Sequence, residues 1–100
     1  MLSFLKRDIA KIVSRNLNTS IRKSVIYTDE VFNAVRELLC KDDDFIRVEV
    51  RNFGVIESKP AKAKPKARNP RTNEEIFVPA HKKTHFKPGK LLKDHLKKPI

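Results

Sequence analysis

The sequence predicts an α+β fold in a single domain, residues 1–100. Three observations carry that prediction. Apolar residues recur at helical spacing through residue 39, an alternating stretch follows at 46–51, and a cationic, proline-bearing segment at 59–71 lies between strand-like stretches.

The first helix is predicted over residues 4–17. Leu5, Ile9, Ile12, Val13 and Leu17 form one face, with Lys6, Arg7, Lys11 and Arg15 between them. Asn18–Ser20 break it, and the Ser20 hydroxyl suits an N-cap, where it accepts from a free amide of the first turn. A second helix is expected from Ile21 to Leu39. Its stripe of Ile21, Val25, Thr28, Phe32, Val35 and Leu39 is widened by Val31 and Leu38. A stripe that wide is expected to face both the first helix and something further, a core and a dimer interface together.

Lys41–Asp44 end the helix in a polar turn. Ile46, Val48 and Val50 then alternate with Arg47, Glu49 and Arg51, the pattern of a half-buried strand. Asn52–Gly54 is predicted to be a tight turn, because Asn and Gly tolerate positive φ. Val55–Ser58 begins a second strand, residues 74–80 are read as the returning strand, and a turn is expected around His85. Pro88 and Gly89 introduce a short last helix, with Leu91, Leu92 and Leu96 as its apolar face. The expected organisation is a helical part at 1–44, a sheet at 45–85 carrying an arm at about 57–76, and a C-terminal helix within 86–100.

Charge separates the halves. Residues 1–50 carry nine Lys/Arg and eight Asp/Glu, a net of +1; residues 51–100 carry fourteen and four, a net of +10. The first half is balanced, as a scaffold would be. The second is a polycation that attracts nucleic acid, anionic lipid or acidic protein. Hydrophobic residues are 39% of the chain, enough for a small core. A chain this short buries a modest share of its surface, so a second chain is a natural source of further burial.

Several classes are disfavoured. The lone cysteine, Cys40, allows no intramolecular disulfide. No apolar run approaches a membrane span, and the opening Met1–Leu5 stretch meets Lys6, Arg7 and Asp8 at once, unlike a secretory signal. An amphipathic N-terminus with arginine can mimic a transit peptide, but the same helix serves as core; a soluble intracellular protein is expected. His81, His85 and His95, Cys40 and Asp42–Asp44 lack the spacing of a metal site, and no phosphate-binding glycine loop or activated nucleophile is present. The expectation is no enzyme, no cofactor, no metal, no membrane partner and no small-molecule substrate.

The basic arm remains. Residues 59–71 hold six Lys/Arg, no acid, three alanines and three prolines, and cannot pack a core of their own. A solvated loop, a membrane-surface patch and a nucleic-acid contact compete for this composition. An amphipathic helix or lipidation motif usually adjoins a membrane patch, and neither adjoins this one. For nucleic acid, Lys and Arg neutralise phosphates and release counterions. Pro70 is rigid, apolar and has no amide to satisfy. At the tip of a cationic hairpin it can wedge between base pairs and kink the duplex, with Arg68 and Asn69 reaching minor-groove acceptors.

At these residues the chain resembles the HU/IHF family of bacterial histone-like DNA-bending proteins. The matching stretches are NFG at 52–54 (Gly-Phe-Gly in the family), RNPRTNEE at 68–75 (Arg-Asn-Pro-x-Thr-Gly-Glu) and FKPGKLLKDHL at 86–96 (Phe-x-Pro-Gly-Lys-x-Leu-Lys). The order of elements matches as well, so the resemblance covers nearly the whole chain. It implies an intertwined dimer with a two-helix N-terminal body, a three-stranded antiparallel sheet, protruding β-ribbon arms that wrap the minor groove, and a short C-terminal helix. Carried over by position, Pro70 is the intercalating proline, flanked by Arg68 and Asn69. Lys59, Lys62, Lys64, Lys66 and Arg71 follow the phosphates along the arm, and Lys82, Lys83, Lys87 and Lys90 touch the backbone from the body. Phe53 and Phe86 are core and interface residues. Asn52 and Asn73 stand where the pattern has glycine, Ala67 stands where glycine usually precedes the arginine, and the arm is one residue longer than the pattern.

The resemblance implies an architectural protein of the bacterial cytoplasm and nucleoid that bends and compacts double-stranded DNA, mostly without sequence preference, as a homodimer. The alternatives are a heterodimer, a site-specific IHF-like subunit, and a basic RNA- or ribosome-associated protein. The last lacks the stacking aromatics expected on an RNA-binding sheet.

Overall fold

The computed structural model describes residues 1–62, 64–68 and 70–100, the side chains of 63–69 and 76–78 excepted. The elements are α1 (Lys6–Leu17), α2 (Ile21–Leu39), β1 (Ile46–Val50), β2 (Gly54–Ala61), β3 (Lys64–Arg68), β4 (Glu75–Val78), β5 (His81–Pro88) and α3 (Lys90–Leu96). They fall into two compact units, Met1–Cys40 and Lys41–Ile100.

In the first unit, both helix starts are closed by side chains. The Leu5 amide donates to Asp8 Oδ2 at 2.8 Å; Ser20 Oγ accepts from the Lys23 amide at 3.1 Å, the cap that the sequence predicts. Asn18 ends α1 in the left-handed region, φ 51°, a conformation Asn tolerates. The buried residues of the two helices are small: Ala10 and Ser14 on α1, Ser24 and Thr28 on α2. Two of their hydroxyls are spent on carbonyls, Ser14 Oγ on Thr19 at 2.6 Å and Thr28 Oγ1 on Ser24 at 2.7 Å. An ion pair of Lys6 with Asp29, 2.5 Å apart, adds a tie between the helices. The large apolar side chains Ile12, Tyr27, Val31 and Phe32 remain exposed in the single chain.

In the second unit a three-stranded antiparallel sheet has the order β1–β2–β5. Ile46 pairs with Ser58 and Val50 with Gly54; on the other side Gly54 pairs with Pro88 and Ala61 with His81. The β1–β2 turn places Asn52 at φ 65°, so Asn does there what the family pattern assigns to glycine. Gly54 cannot be replaced so easily: a Cβ on it would lie 2.4 Å from the Lys87 carbonyl oxygen and 2.8 Å from the Phe86 ring. The Phe53 and Phe86 rings meet at 5.2 Å between centroids, tilted by 45°. The Gly89 amide donates to the Phe53 carbonyl at 2.7 Å. The turn at 52–54 and the entry to α3 are thereby stitched together.

β3 and β4 form a separate two-stranded antiparallel ladder, with the turn at Pro70–Thr72 between them. Its register shifts between Lys64↔Val78 and Ala67↔Ile76, which leaves one extra residue on β3. Pro65 lies within that interval and has no amide to give a ladder, so a bulge there is the expected accommodation. Asn73 adopts φ 59°, again in place of the pattern's glycine.

Two expectations are corrected. The strand read at 74–80 is β4, which pairs with β3; the third strand of the sheet is β5, at 81–88. His85, expected in a turn, is in the middle of β5. The cause is compositional. Every residue of β5 is exposed and only Phe86 is large and apolar, so the stretch lacks the alternation by which a strand is recognised.

Candidate nucleic-acid interface

Side chains alternate across a strand, and directly paired residues share a face. The register therefore sorts the sheet into two surfaces. One carries Ile46, Val48, Val50, Ile56, Ser58, Thr84 and Phe86. The other carries Arg47 and Glu49 on β1, Val55, Glu57 and Lys59 on β2, and His81, Lys83, His85 and Lys87 on β5. The second surface is the charged one. Its carboxylates are engaged within it, Glu57 with Lys87 at 3.4 Å and Glu49 with Arg47 at 3.9 Å.

Lys59 and Lys83 are direct cross-strand partners on that charged face. Like charges so placed repel each other and weaken a sheet. An anion lying across the strands removes the repulsion, which makes this pair the most informative feature of the surface.

The residues expected to touch DNA are distributed as follows. Lys59 is on β2, half-buried; Lys62, exposed, follows β2; Lys64, Lys66 and Arg68 belong to β3. Pro70 and Arg71 are exposed in the turn between β3 and β4, the far end of that ladder. Asn69 lies outside the described residues. Lys83 and Lys87 share the charged face, and Lys90 opens α3.

Lys82 is separated from this group. It occupies the opposite face, and its ammonium donates to the Asp43 carbonyl at 2.8 Å, tying β5 to the polar turn at 41–44. That turn is held by its own Asp43, whose Oδ1 accepts from the Phe45 amide at 3.0 Å. Sequence reasoning groups Lys82 with Lys83 because it does not find the strand that sets them apart. For the same reason it misses that His81 and His85 stand in the same row as Lys83 and Lys87.

Among the described residues, no group of three or more His, Cys, Asp or Glu is placed to hold a metal ion, and no helix is long and apolar enough to cross a membrane.

The chain is similar to known proteins over nearly all of its length. Residues 4–97 match the family model described as Bacterial DNA-binding protein. The DNA-binding protein HU of Geobacillus stearothermophilus is 37% identical over 92 residues, 92% of this chain and 98% of that one. HU 1 of Bacillus subtilis is 35% identical over 89 residues, 89% of this chain and 92% of its own. Among solved structures, an Anabaena HU–DNA cocrystal structure superposes with a TM-score of 0.82 at 25% identity, covering 96% of this chain and all of the other. By sequence over nearly its whole length and by fold, the chain belongs to the HU/IHF family of bacterial DNA-binding proteins.

Proposed function

We propose that this protein is an architectural DNA-binding protein that works as a homodimer, bends duplex DNA and is indifferent to most of its sequence. The observation that carries the reading is the Lys59–Lys83 pair, set in a face with Lys87 beside it. A polyanion across the sheet offsets that repulsion, and relatives named for DNA binding supply the polyanion's identity.

In this reading the β3–β4 ribbon is the protruding arm. Lys62, Lys64, Lys66, Arg68 and Arg71 run along the phosphates of a minor groove. Asn69 lies beside Pro70, which enters a base step as an apolar wedge and kinks the duplex. Minor-groove readout distinguishes little beyond A·T from G·C, so broad sequence tolerance follows. The dimer is supported by the helical unit, where Ile9, Val13, Tyr27, Val31 and Phe32 line an open apolar groove of about 210 Å³. An exposed apolar surface of that kind marks an association site, and a second copy, intertwined through it, is the occupant. The whole chain then acts as one DNA-binding domain, with neither catalysis nor cofactor, at the nucleoid in the cytoplasm.

The test measures bend and affinity together, by energy transfer between the ends of short duplexes, on intact, nicked and unrelated sequences. The expected result is sharp bending of every duplex, with tighter binding to nicked DNA because part of the unstacking cost is already met. Binding to one selected sequence alone would replace this reading with a site-specific one. Preference for RNA in direct competition would overturn it.

A further inference from the structure

We propose that His81 and His85 are DNA-contact residues of the sheet, binding phosphates as imidazolium ions, so that DNA affinity rises as pH falls through the histidine range. The inference deepens the DNA-binding reading above and rests on it.

The geometry is that of one strand. His81, Lys83, His85 and Lys87 are alternate residues of β5, all exposed and all on the charged face. Alternate residues in a strand recur about every 6.7 Å. The row therefore offers two permanent cations interleaved with two conditional ones. A phosphate strand drawn to Lys83 and Lys87 passes His85 and, continued along the row, reaches His81.

The surroundings of each ring are charged as follows. His81 pairs across the ladder with Ala61 on β2, and Lys59 and Lys83 are its nearest charged neighbours on the face. Its Nδ1 lies 2.9 Å from the Pro79 carbonyl oxygen. A carbonyl only accepts, so Nδ1 donates the hydrogen, and Nε2 is the nitrogen that gains a proton and becomes a donor to phosphate. His85 pairs with Glu57 on β2 and is flanked by Lys83 and Lys87. Glu57 is already engaged by Lys87, and on β1 Arg47 stands opposite Glu57. α3, which also packs against β5, carries Lys90, Lys93, Asp94 and His95. On the reverse face, Lys82 reaches the turn that bears Asp42, Asp43 and Asp44.

The thermodynamic sign follows from this setting. A phosphate lying along the row favours the imidazolium form of each ring it touches. Binding therefore takes up protons, and lowering the pH strengthens it.

The experiment titrates a short random-sequence duplex with the full-length protein, by fluorescence anisotropy, over a range of salt. It is done at about pH 8 and about pH 5.5, on either side of an ordinary imidazole's pKa of about 6.5. For the parent, the slope of log K against log salt is expected to steepen at the lower pH by about 0.9 for each histidine engaged. The double variant His81→Gln, His85→Gln should lose the increment. His95→Gln, on α3, should keep it. His85→Lys should show part of the low-pH slope already at the higher pH. Circular dichroism at both pH values confirms that each variant is folded. A double variant that keeps the full increment overturns the proposal and leaves the DNA-binding reading intact. Absence of binding by the parent at either pH overturns that reading itself.

Discussion

The ammonium of Lys82 donates to the backbone carbonyl of Asp43 across 39 residues of chain, while the next residue, Lys83, stands on the opposite face against Lys59. Adjacent lysines of one strand are thus expected to have different work. Lys83→Ala should flatten the slope of log K against log salt by about 0.9 for each phosphate it no longer neutralises. Lys82→Ala should leave the slope where it was and lower stability by about 1 kcal/mol or less, the worth of one exposed hydrogen bond. Anisotropy titrations at several salt concentrations separate the two. Equal flattening by both variants would mean that Lys82 leaves Asp43 for phosphate.

Pro70 carries no charge, so Pro70→Ala should keep the salt slope and lose bending. Unstacking a base step costs on the order of a few kcal/mol, recovered through interactions that only bent DNA allows. The variant should bind intact duplex more weakly, and the deficit should shrink on DNA nicked at the kink. End-to-end energy transfer reports the bend. An unchanged bend would make Pro70 a turn-former and the arm an electrostatic strap.

Gly54→Ala places a methyl group 2.4 Å from the Lys87 carbonyl oxygen. Neither strand can yield without disturbing the Phe53–Phe86 pair, so the change should cost about 1–3 kcal/mol. For a domain of this size each kcal/mol lowers Tm by roughly 4–8 °C. Calorimetry measures the shift. A variant as stable as the parent would show that β2 and β5 separate more readily at this end than their spacing implies.

Ser20 closes α2 through a single hydrogen bond to the Lys23 amide. Ser20→Ala should destabilise by about 1 kcal/mol and Ser20→Gly by only a few tenths, because glycine leaves the helix end open to water. Equal losses in urea unfolding would assign the effect to something other than the cap.

Both main helices are legible in the sequence because their apolar periods are long and their breaks are marked by polar residues that cap or turn; α2 runs from Ile21 to Leu39 as its stripe predicts. The turns at Asn52 and Asn73 are legible because few residues accept positive φ. β5 is not. A strand that is polar on one face and carries Lys, Thr, Phe and Pro on the other leaves no period to find. With β5 undetected, the division of Lys82 from Lys83 and the row formed with His81 and His85 stay hidden. The Lys82–Asp43 bond joins residues too far apart in the chain for local spacing to indicate it.

The two helices of the first unit bury Ala10, Ser14, Ser24 and Thr28 between them. One methyl side chain and three hydroxyl-bearing ones release little water-exposed apolar surface, against a conformational entropy cost of about 1–2 kcal/mol for each residue ordered. If the chain dimerises through the apolar groove, as proposed, folding becomes a second-order reaction. A newly made chain would then remain susceptible to proteolysis until it met its partner. The protein's lifetime would depend on its own abundance: chains made below the association threshold would be cleared, and those above it would persist.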